Sequence, residues 1–201
     1  MDYGVNNVAS VVRALAAAGH PGTLTADPAL IRGAERVLLP GVGHFGQGLA
    51  NLRAAGLDAA VREAAAAGRP VLGICLGLQL LFAGSAEAPA TPGLGLLPGR
   101  VARFGPGLPV PHVGWARIEA TPAGAGHPLT RGVLARPEYF YHVHSFHPAD
   151  VPETARLAEG DYGGRFPTIV ARGNVAGVQF HPEKSQRAGL ALLAAFAEWR
   201  P

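Results

Sequence analysis

Two kinds of hydrophobic spacing divide the chain near residue 84. Before it, short continuous apolar runs alternate with helically spaced ones. Val8, Val11, Val12 and Leu15 recur at three- and four-residue steps until Gly19, which predicts an amphipathic helix behind an Asn6 or Asn7 cap. Thr23–Thr25 reads as a short strand, and Asp27-Pro28 as the cap and first position of a brief helix ending near Gly33. Val37–Leu39 is a continuous apolar run that stops at Pro40-Gly-Val-Gly43, the pattern of a strand buried on both faces. Leu49–Leu57 and Asp58–Ala67 predict two helices, the second capped by Asp58. Val71-Leu-Gly-Ile74 is a second buried strand, and at Cys75 the spacing turns helical through Leu76, Gln79, Leu80 and Ala83.

This alternation predicts an α/β fold built on a doubly wound, mostly parallel sheet. After residue 84 the runs shorten and turn residues multiply. Pro92–Gly99 reads as a loop, with strands at Arg100–Phe104, Trp115–Ile118 and Glu138–Ser145. Phe166–Arg172 and Val175–Phe180 flank Gly173-Asn174 as a hairpin, so this half adds antiparallel strands. Leu190, Leu193, Ala194 and Trp199 predict a last helix packed back on the sheet. No repeat and no dividing linker appears, so residues 1–201 read as one domain.

Composition narrows the class. With 48% apolar and 15% charged residues the chain is built to fold compactly. No apolar run reaches the ~18 residues needed to cross a bilayer. The formal charge is +3, but the arginines are scattered singly, which argues against a nucleic-acid surface. A single cysteine leaves no internal disulfide, so a reducing cytoplasm is the expected compartment. Lys184 is the one lysine among 17 Lys and Arg, which makes it stand out.

The chemistry centres on Cys75. It sits at the switch from strand to helix between Gly73 and Gly77, a nucleophile elbow with sulfur in place of the hydroxyl oxygen. Such a turn presents the side chain at a helix N-terminus, where a thiolate and a developing oxyanion are both favoured. A cysteine nucleophile needs a base, and His181 ends the apolar strand of the hairpin with Glu183 two residues on as an acceptor to orient it. Pro40–Gly43 is a glycine-rich loop at a strand's C-terminal end, where open α/β sheets bind ligands. His142, His144 and His147 invite a metal, but zinc requires a third close ligand with a supporting partner, and no cysteine or paired acid lies nearby. No metal and no cofactor is therefore expected.

Cys75 in GICLGLQLLF together with His181 and Glu183 in GVQFHPEKSQ resembles the class I glutamine amidotransferases. DYG, LPGVGHFG, GLGLLPGRVARF, PHVGWARI, VHS and FHPEKSQ narrow the resemblance to the branch serving imidazole glycerol-phosphate synthesis in histidine biosynthesis, in order and over nearly the whole chain. It implies a flavodoxin-like fold and hydrolysis of glutamine through a cysteine thioester, with Cys75 as nucleophile, His181 as base and Glu183 as its orienter. It implies backbone oxyanion donors at Leu76 and in Gly41, Val42 and Gly43, and glutamine held by Gln79, His144 and Ser145. Asn7 and Lys184 match positions facing the partner, a (β/α)8-barrel cyclase that receives the ammonia in a heterodimer. Asn6, His44 and Ala116 depart from the usual residues at their positions. Glutaminases of pyridoxal phosphate, purine or anthranilate synthesis fit the combined P-G-V-G-x-F-G and P-H-V-G-W signals less well, and a non-catalytic gating subunit would not need Cys75, His181 and Glu183. The relatives also begin with an apolar strand before DYG. Only Met1 precedes it here, so the chain is expected to be shortened at its start and the sheet to show a gap or stub beside the strands holding Val37–Leu39 and Val71–Ile74.

Overall fold

The computed structural model describes residues 1–201. Its elements run α1 (Val8–Ala17), α2 (Pro28–Gly33), β1 (Val37–Leu39), α3 (Phe45–Ala54), α4 (Leu57–Ala66), β2 (Val71–Ile74) and α5 (Leu76–Leu80). There follow β3 (Arg100–Arg103), β4 (His112–Ala120), α6 (Pro122–Ala125), β5 (Glu138–His144), β6 (Phe146–Ala149), β7 (Arg156–Asp161), β8 (Arg165–Arg172), β9 (Val175–Val178) and α7 (Gln186–Glu198). Seven strands form one sheet in the order β1-β2-β9-β8-β7-β4-β5, and β3 pairs with β6 in a small second sheet. The first three strands are parallel and the remaining pairings antiparallel.

Each face of the sheet carries its own core. Phe45, Leu49, Leu52, Leu57 and Val61 of α3 and α4 cover one face. Val11 of α1 and Leu192, Leu193 and Phe196 of α7 cover the other, against Leu72, Ile74, Ile169 and Val178. Buried on both sides, β2 and β9 are apolar throughout, as the uninterrupted runs required.

The parallel pairing of β2 with β9 places the chemistry. Ile74 is in register with Val178, so Cys75 and His181 both emerge from the same C-terminal edge of neighbouring strands. The Cys75 N–H donates to Val178 O at 2.8 Å, tying the elbow to β9.

Several local expectations differ. Thr23–Thr25 belongs to no strand; its one main-chain tie is Asp2 N–H to Thr25 O at 2.8 Å. Helix α3 begins at Phe45, four residues before the expected Leu49, because His44 Nδ1 accepts from Gly46 N–H and Glu87 from Phe45 N–H. Asp58 lies inside the first turn of α4, whose cap is Gly56 at φ 65°. Arg156–Asp161, unremarkable as a charged stretch, becomes β7 by pairing with both β4 and β8.

Beyond β1 the sheet ends in a cleft of about 820 Å³, bounded by Leu38 on one side and Thr23–Thr25 on the other, under Val8, Val11 and Leu15. Met1 enters it as a stub, its amino group donating to Leu38 O at 3.0 Å. This cleft holds neither Cys75 nor His181; Cys75 lines a smaller pocket at the strand ends.

Candidate active site

Cys75 holds the backbone conformation of an elbow, φ 53° and ψ −108°, a strained region for a side-chain-bearing residue. The glycines around it are there for close approach. A Cβ on Gly77 would run into Leu39 O, and one on Gly73 would lie 2.6 Å from Gly77 C and O. The sulfur is nearly buried, 3.8 Å from Gln179 Nε2 and 4.0 Å from Val143 O.

His181 is fully buried, and its Nδ1 stands 2.7 Å from Glu183 Oε1. Nδ1 therefore carries the proton toward the carboxylate, and Nε2 is left without a hydrogen-bond partner. Burial disfavours the imidazolium, but the Cys75 sulfur and the Glu183 carboxylate outweigh it and hold His181 up at about 10. Glu183 is disfavoured as a carboxylate by its burial, yet His181 and Asn7 hold it below the usual carboxylate range.

The turn that carries His181 is fastened to β5, the edge strand of the sheet. His181 N–H donates to Tyr141 O at 2.9 Å, and Tyr141 N–H donates to Ser185 Oγ at 3.0 Å. Ser185 Oγ in turn donates to His181 O at 2.6 Å. A serine one residue past the lysine thus sets the height of the base over Cys75.

A pocket of about 320 Å³ opens beside the sulfur. Val42, Gly43, Leu76, Gln79, His144 and Ser145 line it with Cys75, as do Glu87, Pro111 and Phe146. Gln79 donates from Nε2 to Phe146 O at 3.0 Å and to Gln179 Oε1 at 3.1 Å, which fixes its amide. The main chain of the glycine loop is turned so that Leu76 N–H donates to Gly41 O at 3.3 Å. Gly41 admits no side chain, because a Cβ would stand 2.5 Å from Tyr3 Oη, which donates to Pro40 O. Gly43 takes φ +111°, open to glycine alone at little strain.

Asn7, expected on the partner-facing side, is buried and donates from Nδ2 to Glu183 Oε1 at 3.1 Å, so its side chain is spent on the acid and not on the helix it precedes. Lys184 is exposed, its Nζ 5.5 Å from the centroid of Tyr141. Glu87, Gln179 and Ser185 were not singled out from sequence. Glu87 lies in an irregular segment with no spacing to mark it, and Gln179 and Ser185 are legible only as neighbours of His181.

A cysteine and a buried imidazole–carboxylate pair at the C-terminal edge of neighbouring parallel strands, beside a glycine-rich loop, are the arrangement of a thiol amidohydrolase of the triad type. The family model of glutamine amidotransferase class-I matches residues 1–198, and the chain belongs to that family. A crystal structure of a glutamine amidotransferase shares the fold, with a TM-score of 0.76 at 20% identity over 96% of this chain and 95% of that one. The imidazole glycerol phosphate synthase subunit HisH of Symbiobacterium thermophilum is 53% identical over 194 residues, 96% of this chain and 90% of the relative. That of Moorella thermoacetica is 47% identical over 198 residues, 98% of this chain and 92% of the relative. Within the class, the family is therefore that of the HisH subunits.

Proposed function

We propose that residues 1–201 form one glutaminase domain that supplies ammonia to a cyclase in imidazole glycerol phosphate synthesis, the histidine-biosynthetic reaction for which its relatives are named. The observation that carries the reading is the His181–Glu183 pair at the same strand edge as Cys75, whose sulfur opens on a pocket lined by Val42 and Gly43 of the glycine-rich loop.

Glutamine enters with its side-chain amide at Cys75. Glu87, an acceptor in the pocket wall, suits the α-ammonium, and Ser145 and His144 lie along the remaining wall. The Cys75 sulfur bonds to the amide carbon, and the carbonyl electrons move onto oxygen. That oxyanion needs the N–H of Leu76 and one from the Gly41–Gly43 loop. When it collapses, the C–N bond breaks and His181 delivers its proton to nitrogen, releasing ammonia and leaving a thioester. Water then attacks the thioester, His181 takes the water's proton, and glutamate leaves with Cys75 restored.

A docking face fits the need to hand ammonia on. Val113, Trp115 and Tyr139 are roughly half exposed along one face of β4 and β5, an apolar stripe at the edge of the sheet. Trp115 meets Tyr141 edge-on, and Lys184 lies over that tyrosine. Val143 joins the stripe to the Cys75 pocket. This arrangement supports a barrel subunit seated against β4, β5 and Lys184.

A glutamine-mimicking electrophile tests the nucleophile. Mass spectrometry should find one adduct, on Cys75, slowed by competing glutamine and absent in Cys75→Ala. Labelling at other residues with Cys75 free would overturn the assignment.

A further inference from the structure

We propose that His112, His142 and His144 form a second site in this chain, one that binds a divalent transition-metal cation of the zinc type. His142 and His144 share a face of β5, and the register of the sheet sets His112 of β4 directly opposite His144. One ring nitrogen from each lies within 4.8 Å of the others, and all three residues are buried. Nδ1 of His112 is buried with no hydrogen-bond partner. A buried nitrogen in that state is rare in folded proteins. His147 stays apart, stacked on Phe104 at 4.4 Å, so the third ligand comes from another strand and not from the local run of histidines.

The tautomers follow from the contacts. His144 Nδ1 stands 2.9 Å from Phe146 O and must donate to it, so His144 Nε2 presents a lone pair. His142 Nδ1, 3.1 Å away, donates to that lone pair. At metal–nitrogen distances of about 2.0–2.1 Å, two tetrahedral ligands stand about 3.3–3.4 Å apart, close to the spacing this pair already has. A cation between them replaces the shared proton, which passes to Nε2 of His142, and a swing of the His112 ring completes three bonds. Phe146 O already orients His144 as carbonyl acceptors orient metal-bound histidines. An all-imidazole set favours zinc, cobalt, nickel or copper over magnesium or calcium. His144 also lines the Cys75 pocket, which provides an entry path and an open fourth position.

The test uses full-length Cys75→Ala, which removes a competing thiolate, titrated with cobalt(II). The expected result is one equivalent bound, with visible bands of four-coordinate nitrogen ligation, and affinity weakened at least about tenfold when His142→Phe or His112→Phe is added. In the Cys75→Ala chain with zinc, the ring nitrogens of His112, His142 and His144 should shift together in NMR, a readout needing no change in the cluster. Absence of cobalt binding, bands unchanged in folded Phe variants, or zinc-induced shifts confined to other histidines would overturn the proposal.

Discussion

Ser185→Ala isolates the fastening of the catalytic turn. Ser185 is 1% exposed, and its hydroxyl serves two main-chain groups at once. Removing it orphans Tyr141 N–H at the outer edge of β5, a loss of roughly 1–3 kcal/mol for a buried donor. His181 O loses one partner but keeps Lys184 N–H at 3.0 Å, so that part costs only about 1 kcal/mol. Together the change is about 2–4 kcal/mol, which in a chain of 201 residues lowers Tm by roughly 5–15 °C. Activity should fall as well, because a base displaced from Cys75 no longer reaches the leaving nitrogen. Calorimetry gives the stability, and glutamate release at saturating and limiting glutamine separates kcat from KM. We expect kcat to fall about tenfold or more with KM little changed, since Ser185 does not line the glutamine pocket. A Tm within 1–2 °C of the parent (under about 1 kcal/mol) together with an intact kcat would refute the fastening.

Three further outcomes follow. Leu76 N–H, proposed above as an oxyanion donor, is engaged with Gly41 O, so the chain alone should hydrolyse glutamine poorly and the partner with its ligand should raise kcat by about 10²–10³ by freeing it; equal saturated rates with and without partner would contradict this. His181 is raised to about 10 against an unfolded value of about 6.5, so its stabilising contribution is full below pH ~6.5 and is lost as pH rises through ~10. Ring-nitrogen NMR should show that titration and show it move down in Cys75→Ala, with Glu183 still paired and the neighbouring His142 and His144 neutral; an unmoved titration removes Cys75 as its cause. Lys184→Ala should weaken partner affinity about tenfold while leaving Tm within ~1–2 °C, measured by calorimetric titration against the barrel subunit; unchanged affinity returns Lys184 to an ordinary solvated charge.

The parts of the fold and site that sequence disclosed are those written into continuous segments. The Val71–Ile74 run, its glycine frame and the helical residues after Cys75 sit side by side in the chain, as do Val175–Val178 and the His181–Glu183 turn. The rest depends on what tertiary structure brings together. His112 is unremarkable until β4 pairs with β5 and sets it against His144. Glu87 reaches the pocket from a loop that also caps α3. Asn7 had the position of a helix cap, and only the fold shows that Glu183 competes for its amide. Thr23–Thr25 has the composition of a strand, but no strand lies beside it to form a ladder.

The most direct test of the central claim compares two nitrogen sources in the complex with the barrel subunit. Cys75→Ala should abolish synthesis of imidazole glycerol phosphate from glutamine while synthesis from added ammonium salt continues at the parent rate. Glutamine-dependent turnover that survives in the alanine variant would contradict the assignment of Cys75 as the nucleophile.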